Sequence, residues 1–266
     1  MGRIIAVANQ KGGVGKTTTT INLAAFLAEM GNKVLVIDAD SQGNTTTGLG
    51  VDKNELEHTF YDVLSARSTF EQAIIEIPDF NSKLFLIGSN VELSGAEIEL
   101  IQLEYKEYLM KNFLDTIKDD FDFIIIDCPP ALNILTLNAL TASNSVLVPM
   151  QCEYYALEGL SQLIYIINMV RERLNPELNI EGIAFTMYDK RTNLSQQVIE
   201  EVNKYIGTDI YKVIIPRNVR LSEAPSHGLP INKYDIKSAG YESYKLLAET
   251  VIDKGEENKW HHQKKA

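Results

Sequence analysis

Two spacings of apolar residues alternate along this chain. Compact runs such as Ile4-Ile5-Ala6-Val7-Ala8 and Phe123-Ile124-Ile125-Ile126 leave no polar face, as suits strands covered on both sides of a parallel sheet. Between such runs lie longer stretches in which apolar positions return every three or four residues, the period of a helix with one buried face. On this pattern strands are predicted over 3–8, 33–38, 84–88, 122–127, 145–149, 180–186 and 211–215, and helices over about 16–30, 54–65, 96–118, 133–142, 156–174, 194–206 and 238–252. Gly31 stands where the first helix must stop, and Pro149, Pro176 and Pro216 mark the ends of later elements. Strands that alternate with helices predict an α/β fold, a doubly wound and mostly parallel sheet with helices on both faces. Without an internal repeat or a Gly/Ser-rich linker, residues 1–254 read as a single domain. Residues 255–266 are polar, hold the only tryptophan, Trp260, and are expected to form a mobile tail.

At 266 residues with 45% hydrophobic content, the chain is long enough to bury a large core. It holds no run of about 20 apolar residues suited to span a bilayer. Its start, MGRIIAVANQ, passes straight into the first strand without a signal-peptide pattern, so a cytoplasmic location is expected. Cys128 and Cys152 lack metal-site spacing and are expected to be buried, reduced thiols. A net charge of −11 argues against nucleic acid as a partner of the chain taken as a whole. The charge is unevenly spread, however: from Ile210 to Gly240 five basic residues (Lys212, Arg217, Arg220, Lys233 and Lys237) stand against two acidic ones (Glu223 and Asp235).

The segment Gln10-Lys11-Gly12-Gly13-Val14-Gly15-Lys16-Thr17-Thr18 joins the first predicted strand to the first predicted helix. In that setting Gly12, Gly13 and Gly15 permit a backbone that curls with its N–H groups inward at a helix N-terminus, a cradle for phosphate oxygens. Lys16 is placed to reach the β- and γ-phosphates of ATP and Thr17 to ligate Mg²⁺, with Val14 and Thr18 completing the phosphate loop. The usual G-x-x-x-x-G-K-[ST] pattern is not met, because Gln10 stands where its first glycine belongs. Lys11 instead supplies a second lysine, giving the deviant form K-G-G-x-G-K-[ST]-[ST].

Ligands of an open parallel sheet bind beyond the carboxyl ends of its strands, and three further segments end there. Val36-Ile37-Asp38-Ala39-Asp40-Ser41-Gln42-Gly43-Asn44 closes the second strand and runs into Thr/Gly-rich residues up to Gly50. It resembles a switch loop in which Asp40 positions or deprotonates the attacking water, while Asp38 supports it or a Mg²⁺-bound water. The competing reading makes both aspartates a strand end and a helix cap. Phe123-Ile124-Ile125-Ile126-Asp127-Cys128-Pro129-Pro130 has Walker B form, four apolar residues closing on Asp127, which would hold Mg²⁺ through a water. In the third segment, Val148 to Gly159, Gln151 and Glu153 are placed to face a partner subunit, and helix-start polarity explains them equally well.

The stretches NQKGGVGKTT, IIIDCPP, PMQCEYYALEGL and IPRNVRLSEAPSHG together resemble the ParA/Soj family of chromosome- and plasmid-partitioning ATPases, its Soj-like chromosomal members above all. The resemblance covers nearly the whole chain. It implies ATP and Mg²⁺ as cofactors and an ATP-dependent sandwich homodimer in which Lys11 crosses to the phosphates of the partner's nucleotide. Lys11 and Lys16 then act with Asp40 in catalysis. It further implies nonspecific binding of double-stranded DNA by the dimer, association with the nucleoid and not a membrane, and slow hydrolysis stimulated by a ParB-type protein. By motif, Met187 and Pro216 become adenine neighbours. The DNA contacts become Arg191 in Asp189-Lys190-Arg191-Thr192-Asn193-Leu194, Arg220 in Pro216-Arg217-Asn218-Val219-Arg220-Leu221, and Lys237. Such contacts need arginine or lysine without base readout. Two departures stand out: Ser41 occupies the place where the family usually has proline, and the tail after Gly255 is longer than expected.

Rival readings come from other classes. A MinD-like membrane-cycling ATPase that positions cell division shares the deviant loop, but needs a basic amphipathic C-terminal helix; Glu249 to Ala266 offers Val251, Ile252 and Trp260 among charges. An electron donor like the nitrogenase iron protein needs a pair of cluster-binding cysteines that the sequence lacks. A ligase of the dethiobiotin synthetase type needs a substrate pocket that the sequence does not show. No helix-turn-helix segment precedes the loop, so site-specific operator binding is not expected.

Overall fold

A computed structural model describes residues 2–206 and 210–263. The first half of the chain gives β1 (Arg3–Val7), α1 (Lys16–Glu29), β2 (Val34–Asp38), α2 (Asn44–Gly48), α3 (Phe60–Leu64), α4 (Phe70–Ala73), β3 (Ile74–Glu76), β4 (Leu84–Ile87), α5 (Leu93–Leu100), α6 (Leu109–Ile117) and β5 (Phe123–Asp127). The second half adds α7 (Ile134–Ala142), β6 (Ser145–Gln151), α8 (Ala156–Arg173), β7 (Asn179–Tyr188), α9 (Asn193–Ile206), β8 (Tyr211–Pro216), α10 (Val219–Glu223), α11 (Ile231–Tyr234) and α12 (Ala239–Gln263). The strands form one sheet in the order β3-β4-β2-β5-β1-β6-β7-β8, parallel except for β3, which runs antiparallel to β4. This is the doubly wound α/β arrangement that the alternation of apolar spacings predicts. The chain leaves β1 for β2 on one side and later leaves β5 for β6 on the other. The carboxyl end of β1 is therefore the switch point where a crevice opens.

Side chains of a strand alternate between faces, and the central strands divide the core accordingly. Ile4, Ala6, Leu35, Ile37, Ile124 and Ile126 pack with α6, α7 and α8. Ile5, Val7, Val34, Val36 and Ile125 pack with α1 and α12. Residues Thr19 to Ala28 of α1 are buried all round, so packing and not an amphipathic stripe holds this helix. It stops at Gly31, whose left-handed backbone (φ 93°) lets its N–H donate to the Ala28 carbonyl while Asn32 N–H donates to that of Leu27. That pair of bonds satisfies the last free carbonyls of the helix.

The structure corrects four expectations. The helix expected over 54–65 is present only as α3, because a reciprocal cap starts it late: Thr59 N–H donates to the Asp62 carboxylate at 2.8 Å and Asp62 N–H to the Thr59 hydroxyl. The helix expected over 96–118 is split into α5 and α6, with Tyr105 in a left-handed conformation (φ 54°) between them. The short edge strand β3 and the one-turn helices α2, α4, α10 and α11 were not foreseen. Finally, α12 runs past the expected end at 252 as far as Gln263, through most of the expected tail. The last three residues of that tail lie outside the described residues.

Candidate active site

The loop between β1 and α1 lies at the switch point. Gly13 (φ 72°) and Gly15 (φ 86°) adopt the left-handed conformation that glycine tolerates best. Gly12 does not, and a Cβ there would meet nothing within 4 Å, so the curl rests on two of the three glycines. Gly15 is the N-cap residue of α1, which leaves the first N–H groups of the helix directed at an incoming anion. Neighbouring strands grip the loop: Gln151 Nε2 donates to the Gly13 carbonyl at 2.8 Å, and Thr186 Oγ1 to that of Val14 at 2.7 Å. Lys16 is buried and its Nζ donates to the Lys11 carbonyl at 3.2 Å. Burial lowers the pKa of this ammonium, while the charges of Asp127 and Asp40 act against that fall.

Asp38 and Asp127 end adjacent strands as direct register partners, and both are fully buried. Asp127 Oδ2 accepts from Thr17 Oγ1 at 2.8 Å and from Thr45 Oγ1 at 2.6 Å. Asp38 Oδ2 accepts from the N–H and the hydroxyl of Thr46, at 2.8 and 2.7 Å, and its Oδ1 accepts from Asp40 N–H at 3.2 Å. Burial pushes both carboxyls above the usual range; the charge of Asp127 adds to the rise at Asp38, and that of Asp40 to the rise at Asp127. Asp40 is half-buried, accepts from Gln42 N–H at 2.9 Å, and offers its carbonyl to Ser89 Oγ at 2.9 Å. Once both are ionised, two adjacent buried carboxylates beside one buried ammonium leave negative charge that a divalent cation would offset. Among the described residues no group of three or more His, Cys, Asp or Glu side chains could hold a metal by itself. An ion here would take most of its ligands from water and phosphate, with Thr17 and Asp127 as the protein's share, the coordination that Mg²⁺ prefers.

A cavity of about 300 Å³ opens beside Gly15 and Thr18, lined further by Thr186, Met187, Pro216 and Tyr244. Met187 and Pro216, expected as base neighbours from motif alone, therefore share one pocket. Met187 is held at φ 50°, where the pairing of β7 with β8 becomes irregular, a strained conformation at a site wall. Tyr244 reaches this pocket from α12 and shares a 3.1 Å hydrogen bond with Thr19 of α1. Sequence reasoning missed Thr45, Thr46, Ser89, Thr186 and Tyr244. The run of threonines after Asn44 was its one usable signal, while the others reach the site through the fold alone.

Lys11 lies at the surface, where its Nζ pairs with Glu153 of the same chain. Gln151 and Glu153, expected to face a partner, thus touch the loop of their own subunit. Arg191, between β7 and α9, pairs with Asp189 at 2.6 Å. Arg220 pairs with Glu223 at 2.8 Å and with Asp235 at 3.3 Å. The two acidic residues of the basic segment therefore both lie on Arg220. Lys237 is exposed just before α12. Arg191 and Arg220 follow the carboxyl ends of the paired strands β7 and β8, which brings both to the site's edge of the sheet.

A family model described as an AAA domain matches residues 2–180. The sporulation initiation inhibitor protein Soj of Bacillus subtilis is 53% identical over 257 residues, 96% of this chain and 100% of that protein. The chromosome-partitioning ATPase Soj of Treponema pallidum is 49% identical over 95% of this chain and 98% of its own. A solved structure of cobyrinic acid a,c-diamide synthase from Mycobacterium smegmatis, with bound ATP analogue and magnesium, matches at a TM-score of 0.81 and 36% identity, covering 95% of each chain. Identity of about half across the full length, on a sheet whose switch point carries the two-lysine loop, shows that the chain belongs to the ParA/Soj family of chromosome-partitioning ATPases.

Proposed function

We propose that this chain is a partitioning ATPase whose two ATP-bound copies close face to face, bind DNA without regard to sequence, and hydrolyse ATP slowly until a ParB-type protein stimulates them. Its residence on the nucleoid then follows its nucleotide cycle. The observation that carries this reading is the contrast between the two lysines. Lys16 is buried inside its own loop, whereas Lys11 holds its ammonium outward against Glu153, where a second copy's phosphates would compete for it. The likeness to Soj proteins runs the full length at higher identity than that to the cobyrinic acid synthase, which favours partitioning over small-molecule synthesis.

Within each subunit the loop N–H groups and Lys16 hold the phosphates of ATP, and the cavity beside Met187 and Pro216 receives the base. Mg²⁺, when bound, neutralises charge on the phosphates, and Thr17 with Asp127 is placed to hold it. Asp40 orients the attacking water and takes its proton. Asp38, anchored by Thr46, fixes the backbone that carries Asp40. On the DNA side Arg191, Arg220 and Lys237 supply phosphate contacts, and dimerisation places two weak patches on one body.

Light scattering with ATP and Mg²⁺ tests the central claim. The wild type should dimerise, Lys16→Ala should lose nucleotide binding, and Lys11→Ala should bind ATP yet stay monomeric because its charge acts on the partner's phosphates. An ATP-dependent dimer of Lys11→Ala would refute the two-lysine mechanism. Co-sedimentation with arbitrary DNA and with liposomes, each with and without ATP, separates nucleoid from membrane cycling. Binding to liposomes and not to DNA would move the protein to the membrane class.

A further inference from the structure

The loop that joins β1 to α1 is held at two consecutive carbonyls, and both holds come from one place in the sheet. Gln151 Nε2 donates to the Gly13 carbonyl at 2.8 Å, and Thr186 Oγ1 donates to the Val14 carbonyl at 2.7 Å. Gln151 ends β6, Thr186 lies near the end of β7, and the two are register partners across these parallel strands. Paired residues of neighbouring strands share a face of the sheet, so both side chains reach the same loop. Thr186 and Val14 are buried, and a Cβ at Gly15 would lie 3.5 Å from Thr186 Cγ2.

A trans peptide is planar, and the N–H of one residue points opposite to the C=O of the residue before it. Fixing the Gly13 carbonyl towards Gln151 turns Val14 N–H the other way. Fixing the Val14 carbonyl towards Thr186 does the same for Gly15 N–H. Among the described residues neither N–H has an acceptor within the chain. Successive donors of this kind at the head of a helix are what phosphate oxygens seek. Without the two bonds each peptide is free to rotate and present its carbonyl to the phosphates, and the left-handed Gly13 and Gly15 flank a backbone that turns easily. The start of the loop is tied differently. Lys11 N–H is already spent on Asn9 Oδ1 at 3.0 Å, and Asn9 Nδ2 donates to the Pro149 carbonyl at 2.7 Å.

We propose that the cross-strand pair Gln151 and Thr186 is a two-point clamp that sets the phosphate cradle before nucleotide arrives, by turning the N–H groups of Val14 and Gly15 towards the phosphates. Both are positioning residues that act through the loop, and their role rests on the nucleotide site described above. Binding then has less loop to order. Gln151 carries a second contact, since its Nε2 also lies 2.9 Å from Met187 Sδ on the wall of the base cavity. Its amide has two hydrogens for these two acceptors. One side chain thus ties the phosphate loop to the base wall.

The test measures binding of ADP and of adenosine to the full chain by calorimetry, then turnover with ATP and Mg²⁺. Thr186→Val keeps the shape and removes the hydroxyl; Gln151→Met keeps the length and removes the donor. Each should weaken ADP about five- to tenfold, the loss of one hydrogen bond that orders a binding group. Adenosine, which has no phosphate, should be weakened by less than about twofold. Each variant should raise KM for ATP far more than it lowers kcat, and Thr186→Ser should restore both ADP affinity and KM. Amide signals of Val14 and Gly15 should be sharp in the nucleotide-free wild type and broadened by μs–ms exchange in the variants. Unchanged ADP affinity in both variants overturns the proposal. So does an equal loss for ADP and adenosine, which would make the pair a support of the whole cavity, and so does a Thr186→Ser variant that binds no better than Thr186→Val. ADP binding needs no second copy, so each of these results leaves the two-lysine dimer to be judged by light scattering. A wild type that binds no ADP removes the nucleotide site and the clamp together.

Discussion

Asp40 and Asp38 stand two residues apart and meet different surroundings, so their removal should have different signatures. Asp40 is half-buried and its carboxylate caps a local turn, whereas Asp38 is locked among Thr46, Asp40 N–H and Asp127. Asp40→Ala should keep ATP binding and the dimer while turnover falls roughly 10²- to 10⁴-fold, since only water activation is removed. Phosphate release measured with DNA and the partner protein would show this, and a variant with wild-type turnover would displace Asp40 from its role. Asp38 predicts a pH effect instead. Burial raises its pKa, so the folded, nucleotide-free protein holds a proton there that the unfolded chain has already released. That contribution is complete at low pH and is lost as pH rises from the ordinary carboxylate range towards neutrality. Thermal unfolding of Asp38→Asn should therefore shift in the variant's favour relative to wild type across that interval. A constant gap would mean that Asp38 is charged in the apo protein or titrates as in water.

At the scale of elements, the switch segment from Asp38 through α2 depends on one backbone position. Gly43 caps α2 at φ 60°, and a Cβ there would lie 2.5 Å from the Ser89 carbonyl oxygen. Gly43→Ala should cost about 1–3 kcal/mol in denaturant unfolding and lower kcat more than it raises KM, because the displaced backbone carries Asp40. Unchanged stability and turnover would show that the loop opens without cost. The elements themselves were unevenly legible. The central strands β1, β2, β5 and β6 are buried almost throughout, so their apolar runs report burial directly, and the phosphate loop was visible because its residues are contiguous. The stretch 96–118 misled because Ile98 and Ile101 keep helical spacing although the helix ends at Leu100 and both side chains are exposed, so spacing hid the break at Tyr105. Thr45 and Ser89 stayed hidden because their partners, Asp127 and Asp40, lie 82 and 49 residues away.

Taken whole, the molecule proposed above must reconcile a net charge of −11 with a DNA partner. Arg191 and Arg220 are each already paired with carboxylates, so on that proposal DNA phosphates would gain these cations by exchange at the surface, where such pairs are weak. Arg191→Glu should lower DNA affinity equally for unrelated sequences and reduce the slope of log affinity against log salt by about 0.9 for each phosphate left unneutralised, with ATP binding and the dimer retained. Interferometry at several salt concentrations would read it, and unchanged binding would place the DNA elsewhere. The strand order also has a consequence for how the protein is made. The nucleotide loop leaves the ribosome well before the residues that complete its site: it is gripped by Gln151 and Thr186, and its cavity is lined by Pro216 and Tyr244. At ordinary rates of synthesis those residues follow the loop by roughly 10 to 50 seconds. The nascent chain therefore carries a glycine-rich loop whose site is incomplete until Tyr244 has been added, and ATP is expected to bind only from that point. Ribosome-bound chains halted after Ile206 should be digested by protease at the same rate with or without ATP, whereas released full-length chains should gain protection from it.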